Sequence, residues 1–457
     1  MLSSVNPATG EQLAEFEEHT PAQIELALAR AEAARVSWRE AGFDARATLM
    51  ERVAEGLRGS RDDLARTLTL EMGKPIAEAE AEVEKCAWTA AWLAANAERM
   101  LGQIEIPSNA SRSYVRFQPL GLVLAVMPWN FPLWQVFRAA IPALMAGNTM
   151  ILKHASNVPQ SALAAERIFT EAGFPEGVFQ TLLVASPAVE SIICDRRVAG
   201  VTVTGSVAAG SKIAAIAGRE LKKAVLELGG SDPFIVLADA DLELAVQVAV
   251  RARNQNNGQS CIAAKRFIVA ERVAAEFEER FSAAVAALRV GDPLQRETQV
   301  GPLARPDLLD DLEAQLRASV ELGARVSAGG RRREGRGNYF DPTVVTGVGR
   351  EMAVFREETF GPLAAVIRVA GEEEAIAAAN DSEFGLGSNL WTTDVERGLR
   401  LAERIEAGMV FVNGMVASDA RLPFGGVKKS GMGRELSEFG IREFVNVQTV
   451  WVGPARA

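Results

Sequence analysis

Histidine is nearly missing from this 457-residue chain, which holds only His19 and His154. A zinc centre is therefore not expected, since the three cysteines, Cys86, Cys194 and Cys261, are also scattered along the sequence. A Cys–His hydrolase is not expected either, because His19 lies in a polar N-terminal stretch. Three cysteines are too few, and odd in number, for a disulfide framework; they point to a reducing cytoplasm. Excess positive charge is missing too. The 49 Lys and Arg stand against 59 Asp and Glu, a net charge of −10, which leaves no footprint for nucleic acid. Such a chain repels an anionic substrate at long range, so an anion must be met by local cations. No apolar run reaches the roughly 18 residues of a membrane span. The nearest, "GLVLAVMPWNFPLW", is broken by prolines. The start, "MLSSVNPATGEQ", lacks a basic segment followed by an apolar core, so no secretory signal is expected there.

What is present is ordinary in composition, 48% apolar and 24% charged, and long enough for roughly two to four domains. The first hundred residues read as helices. "PAQIELALARAEAARVSWRE" has helical spacing after Thr20 as a cap and Pro21 in the first turn. "EAEAEVEKCAWTAAWLAANAERM" repeats that pattern and places Cys86 in a core. Short apolar runs then alternate with helical segments. "LVLAVM" precedes a helix from Pro132, "TMILK" precedes "SALAAERIFTEAG", and "FQTLLV" precedes "AVESIICDRR", where Cys194 also reads as core. "GVTVTGS" precedes "VAAGSKIAAIAG", and "KAVLELGG" ends the series. This alternation predicts an α/β fold with a parallel, doubly wound sheet that binds ligands at its strands' carboxyl ends. From about residue 232 the alternation restarts and predicts a second α/β domain. "GGRRREGRGNYF" reads as a solvated hairpin or loop.

Five short stretches carry chemistry. In "NNGQSCIAAKR", Gly258 permits unusual backbone angles and Cys261 sits among polar residues, a setting that suits a reactive thiol as well as a structural one. In "PWNFP", Asn130 follows a strand and either donates its amide into a cleft or caps a helix. "VTVTGSVAAG" is strand, turn and helix. Gly205 lets the chain turn, Gly210 lets the helix pack close, and the amides near Ser206 face a phosphate, unless the turn is a plain one. "LELGG" sets Glu227 at a strand end between apolar neighbours, as a desolvated general base or a buried ion-pair partner. "EETFGP" sets Glu358 to hold ribose hydroxyls and Phe360 to lie against a flat ring, or else forms an exposed turn.

Together and in this order, these stretches resemble the aldehyde dehydrogenase superfamily over nearly the whole chain, from "NPATGE" to "PFGGVKKSGMGRE". Within it, "MPWNFPLWQV", "LKHASN", "ELGGSDPFIVL", "AAKRFIV" and "ASDAR" followed by "FGGVKKSG" are similar to the bacterial succinate-semialdehyde dehydrogenases. The resemblance implies an aldehyde dehydrogenase-like fold. A Rossmann-type cofactor domain would cover 1–105 and 120–228, and a catalytic domain 229–435. A β-flap at 106–119 and 436–457 would pair with another subunit in a homodimer or homotetramer. It implies Cys261 as nucleophile, Asn130 as oxyanion donor and Glu227 as base. Trp129, Lys153, Gly205, Ser206, Leu228, Glu358 and Phe360 would contact the cofactor. Many NAD-preferring members carry a glutamate where this chain has Ser156, so NADP is expected, with NAD admitted. Trp134, Arg138 and Ser418 would bind succinate semialdehyde, with Arg138 and Ser418 holding its distal carboxylate. Asn130, Trp134 and Arg138 follow one another at intervals of four and are expected along one channel. Another small aldehyde, or release of the acyl group to coenzyme A, are the alternatives. Ser260, Ile262 and Ala263 beside the nucleophile leave no partner for a local disulfide switch.

Overall fold

The computed structural model describes residues 1–453; the last four residues of the expected flap lie outside the described residues. Four helices over Pro21–Glu40, Gly42–Gly59, Arg61–Met72 and Ile76–Leu101 follow a short N-terminal hairpin, Leu2–Val5 with Gln12–Phe16. Thr20 caps the first helix in a capping box with Gln23, and Pro21 opens it.

The first large sheet has six strands, in the spatial order Gly431–Met432, Lys223–Glu227, Val198–Thr204, Leu122–Met127, Thr149–His154, Phe179–Thr181. All pairs are parallel except that of Gly431–Met432, which joins Glu227 from the other direction. The inner strands Leu122–Met127, Thr149–His154 and Val198–Thr204 are buried on both faces along most of their length. Val123 and Ala125 pack toward the helices Gly42–Gly59, Arg61–Met72 and Ile76–Leu101, whereas Leu122 and Leu124 pack toward the opposite side, where Ala27, Leu28 and Ala31 of Pro21–Glu40 lie with the later helices. The strand order reverses between Leu122–Met127 and Val198–Thr204. A ligand crevice opens outside the carboxyl ends at such a point, here at Pro128–Asn130 and Gly205–Ser206.

The second sheet has seven strands, in the order Arg325–Ala328, Thr343–Thr346, Leu363–Val369, Ala264–Ala270, Asp232–Val236, Gly387–Trp391, Met409–Val412. It too is parallel except at its first pair. The Cys261 loop enters its central strand, Ala264–Ala270, and so approaches the crevice of the first sheet from across the molecule. A separate three-stranded sheet joins Ile104–Glu105, Arg112–Pro119 and Val445–Val452.

Three local expectations change. Cys194 is exposed, because the seven-residue helix Ala188–Cys194 buries only Val189, Ile192 and Ile193, and Cys194 turns past that stripe. Pro132 stays outside the following helix, which runs Trp134–Met145. The Glu82 carboxylate accepts from the backbone N–H of Leu133 and of Trp134, each at 2.9 Å, and so caps that helix from another one. The arginines of 331–333 are exposed as expected, but each is paired: Arg331 and Arg333 with Asp341, Arg332 with Asp310 and Glu313.

Candidate active site

The polar residues before Cys261 turn inward. Asn256, Asn257 and Gln259 are fully buried, and Asn256, Asn257 and Gly258 all take left-handed backbone angles, φ 59°, 57° and 72°. Asn tolerates this region better than other side chains. A Cβ at Gly258 would fall on the Gly361 carbonyl. Asn256 Nδ2 donates to the Asn130 and Gln259 carbonyls at 2.8 and 2.9 Å, while Asn257 Nδ2 donates to those of Gly73 and Pro302. Arg253 donates to the Gly258 and Gly361 carbonyls, and Lys265 Nζ to those of Ser260 and Cys261, both at 2.9 Å. These side chains therefore hold the thiol in place by satisfying buried backbone groups. Asn130 belongs to the same network: its Nδ2 donates to the Gln259 carbonyl at 3.0 Å.

Cys261 stands where two cavities meet. One, of about 240 Å³, opens at the crevice of the first sheet and is lined by Trp129, Asn130, Gly205, Ser206, Leu228, Glu358 and Phe360. The other, of about 420 Å³, is lined by Trp134, Arg138, Ser418, Phe424 and Lys85. Cys261 and Gln135 line both. Burial pushes the Cys261 thiol up to about 12, against a downward pull from Arg138 and Lys265. It is a thiol at neutral pH and needs a base.

The first cavity suits a dinucleotide. Nothing lies within 4 Å of a Cβ built on Gly205, so a ligand can approach the bare backbone. Ser206 caps the helix Val207–Arg219, whose free N-terminal amides face the crevice. A Cβ at Gly210 would collide with the Leu228 side chain, so only glycine permits that close packing. The Trp129 and Phe360 rings meet edge to face at 5.7 Å. Glu358 Oε1 accepts from the Gly230 N–H at 2.9 Å and lies 3.7 Å from Lys265; burial raises its pKa, and Lys265 pulls it back. Lys153 and Ser156 line neither cavity. Lys153 is buried at the end of its strand, where desolvation lowers its pKa and no ion pair holds it among the described residues, while Ser156 is exposed just beyond.

The expected substrate channel is divided. Trp134 and Arg138 line the second cavity, but Asn130 lines the first, because the chain leaves the helix before reaching it. Arg138 is committed elsewhere. It forms a buried ion pair with Glu435, donates to Thr204 Oγ1 at 3.1 Å and stacks over the Phe424 ring at 4.5 Å. Glu227 lines neither cavity. Its carboxyl lies 2.6 Å from a Cβ built on Gly425, and among the described residues neither oxygen has a hydrogen-bond partner. Burial raises its pKa well above the ordinary range, and Glu435 adds to that while Arg138 opposes it.

The aldehyde dehydrogenase family model matches residues 1–450. This chain belongs to the aldehyde dehydrogenase family. It is 51% identical over 451 residues to a probable NADP(+) succinate-semialdehyde dehydrogenase of Synechocystis sp., covering 99% of both chains. It is 50% identical over 454 residues to NADP(+) succinate-semialdehyde dehydrogenase 1 of Mycobacterium bovis, again with 99% of each chain covered. The crystal structure of succinic semialdehyde dehydrogenase from Streptococcus pyogenes in complex with NADP+ matches with a TM-score of 0.97 at 37% identity, covering 99% of this chain and 100% of that one. Sequence reasoning missed four residues of this aldehyde dehydrogenase site. Lys85 and Lys265 read as ordinary helix and strand lysines, Arg305, which lines the first cavity over the Trp129 ring, sits in a stretch without a motif, and Gln135 lies within "MPWNFPLWQV" but carried no role there.

Proposed function

We propose that the protein oxidises succinate semialdehyde to succinate with NADP+. The observation that carries this reading is the position of Cys261, which lines the crevice at the first sheet's carboxyl ends on one side and a cation-bearing cavity on the other. Glu227 takes the Cys261 thiol proton and releases it to solvent, the sulfur bonds to the aldehyde carbon, and the Asn130 amide with the Cys261 backbone N–H meets the oxyanion. When bound, NADP+ supplies the hydride acceptor that turns this adduct into a thioester. Trp129, Gly205, Ser206, Leu228, Glu358 and Phe360 hold the dinucleotide, and Lys153 with the uncharged Ser156 leaves room for a ribose phosphate. Glu227, unpartnered and raised in pKa, takes a proton from water, which cleaves the thioester and returns the thiol. To do so its side chain turns from Gly425 toward the cavities. Trp134 walls the substrate, and Ser418 with the cations of the second cavity meets its distal carboxylate.

The dinucleotide domain of this reading spans 1–105 and 120–228, and the catalytic domain 229–435. The separate three-stranded sheet is the subunit contact of a homodimer or homotetramer, since Ile104, Ile106, Val447 and Trp451 are exposed on it. Three unpaired cysteines are in keeping with a cytoplasmic setting. The test is NADPH formation from a panel of aldehydes in the absence of coenzyme A, with Cys261→Ala as control. Succinate semialdehyde should give the highest kcat/KM with NADP+, and Cys261→Ala should give none. A requirement for coenzyme A, or a preference for uncharged aldehydes, would reject the reading.

A further inference from the structure

One helix reaches both halves of the reacting centre. Glu78 and Glu82 lie one turn apart on Ile76–Leu101, so their carboxylates leave the same face, about 6 Å apart along the axis. Glu82 Oε1 accepts from the N–H groups of Leu133 and Trp134, just past Asn130. Glu78 Oε2 accepts from the Asn256 backbone N–H at 2.7 Å, just before Cys261. Asn256 sits at a left-handed φ of 59°, which a fixed acceptor on its N–H helps to hold. The two loops also meet directly, since Asn256 Nδ2 donates to the Asn130 carbonyl and Asn130 Nδ2 to that of Gln259. The start of the helix is anchored in turn. Lys74 is fully buried, pairs with Glu82 and stands over the Phe131 ring, 4.1 Å from its centroid. The Gly73 carbonyl accepts from Asn257 Nδ2 at 2.8 Å. A local cap such as Ser or Asp would satisfy the same N–H groups but would move with its own loop. Acceptors on a third, rigid element fix one loop relative to the other.

We infer that Glu78 and Glu82 are positioning residues that fix the Asn130 amide against Cys261, so that the oxyanion formed on the bound aldehyde falls within reach of its donors. The inference rests on the reading of Asn130 as oxyanion donor and names what places that donor. Asn130 and Cys261 line the same crevice from two different sheets, so a shift of either loop separates donor from nucleophile. A misplacement of about 1 Å at such a centre costs roughly 100-fold in rate.

Glu78→Ala removes one acceptor. Lys74→Met combined with Glu82→Leu removes the other and exchanges the buried ion pair for apolar residues of similar volume. Each change is made in the wild type and in Asn130→Ala, and stopped flow reads the rate constant of the first NADPH turnover with succinate semialdehyde. NADP+ binding is titrated on the same proteins by tryptophan fluorescence. Each change alone should slow the first turnover about 30-fold or more and leave NADP+ affinity within about threefold. In Asn130→Ala each should add less than about threefold, because an absent donor cannot be misplaced. Glu78→Gln, which keeps an acceptor oxygen, should recover most of the loss. Should Glu78→Ala not fold, Glu78→Asp, which draws the acceptor back by one methylene, takes its place with the same expectation. Losses that multiply in full with that of Asn130→Ala would overturn the inference by showing general structural damage. A first turnover within about threefold of wild type in Glu78→Ala would overturn it as well. If Asn130→Ala itself keeps the wild-type rate, the reading of Asn130 falls and takes the inference with it, a result distinct from the other two.

Discussion

Arg138→Met separates a structural guanidinium from a substrate-reading one. In the folded protein Arg138 is 1% exposed and pairs with Glu435, which is 5% exposed. Methionine keeps the apolar stem and removes the charge. Glu435 then remains buried, with Thr202 Oγ1 at 3.5 Å as its remaining side-chain donor and Glu443 near enough to raise its pKa. Breaking one side of a buried pair costs about 3–5 kcal/mol, because the other charge is left uncompensated. The lost bond to Thr204 falls within that range rather than adding to it. Urea unfolding measures the deficit, and Glu435→Gln in the same background should recover at least half of it. The pH dependence has a definite sign. Burial already raises the Glu435 pKa and Arg138 pulls it down, so losing Arg138 raises it further. A carboxyl with a raised folded-state pKa contributes no penalty below its unfolded value and an increasing one as pH climbs toward its folded value. The deficit is therefore smaller in mildly acidic buffer than in mildly alkaline buffer. Wild-type stability, combined with a rise in KM confined to succinate semialdehyde, would refute this reasoning and return Arg138 to the carboxylate.

Three further outcomes follow from the same geometry. Ser156→Glu should lower kcat/KM with NADP+ by about tenfold or more relative to NAD+, because a carboxylate repels the ribose phosphate; initial rates with both cofactors check it. The ratio of kcat/KM for succinate semialdehyde to that for butanal should fall above about pH 8 as Lys85, one of the cations of the second cavity, loses its proton. Glu82 and Cys86 on its own helix, Asp419 in the late loop and Arg138 opposite are the charged and titratable groups around it, and ionisation of Cys261 cancels in the ratio. Gly258→Ala should cost about 1–3 kcal/mol and most of the activity, since it meets both a left-handed backbone and the Gly361 carbonyl; a thermal melt with a parallel assay measures both.

The dinucleotide crevice was legible because its residues sit at strand ends and turns, where local sequence sets geometry. Trp129, Asn130, Gly205 and Ser206 lie within a few residues of their strands and come together through the strand order alone. The second cavity was less legible because its contacts are long-range. Lys85 in "EVEKCAW" reads as the solvated face of an amphipathic helix until Ser418 arrives from 333 residues away. Arg138 carries a substrate motif, yet nothing near it in sequence announces Glu435. The polar run before Cys261 reads as a loop reaching a cleft, and its buried Asn residues hold left-handed turns that the run alone does not announce. Cys194 misled because a helix of seven residues has too few turns for a clear periodicity.

In the proposed reaction Cys261 carries the substrate's acyl group between oxidation and hydrolysis. Glu227→Gln, mixed with succinate semialdehyde and NADP+, quenched in acid and digested, tests it by peptide mass spectrometry alongside the NADPH absorbance. A succinyl thioester on the Cys261 peptide is expected, with one NADPH for each adduct and no modification of Cys86 or Cys194. An adduct on another cysteine, or NADPH formed at the wild-type steady rate with none trapped on Cys261, would contradict it.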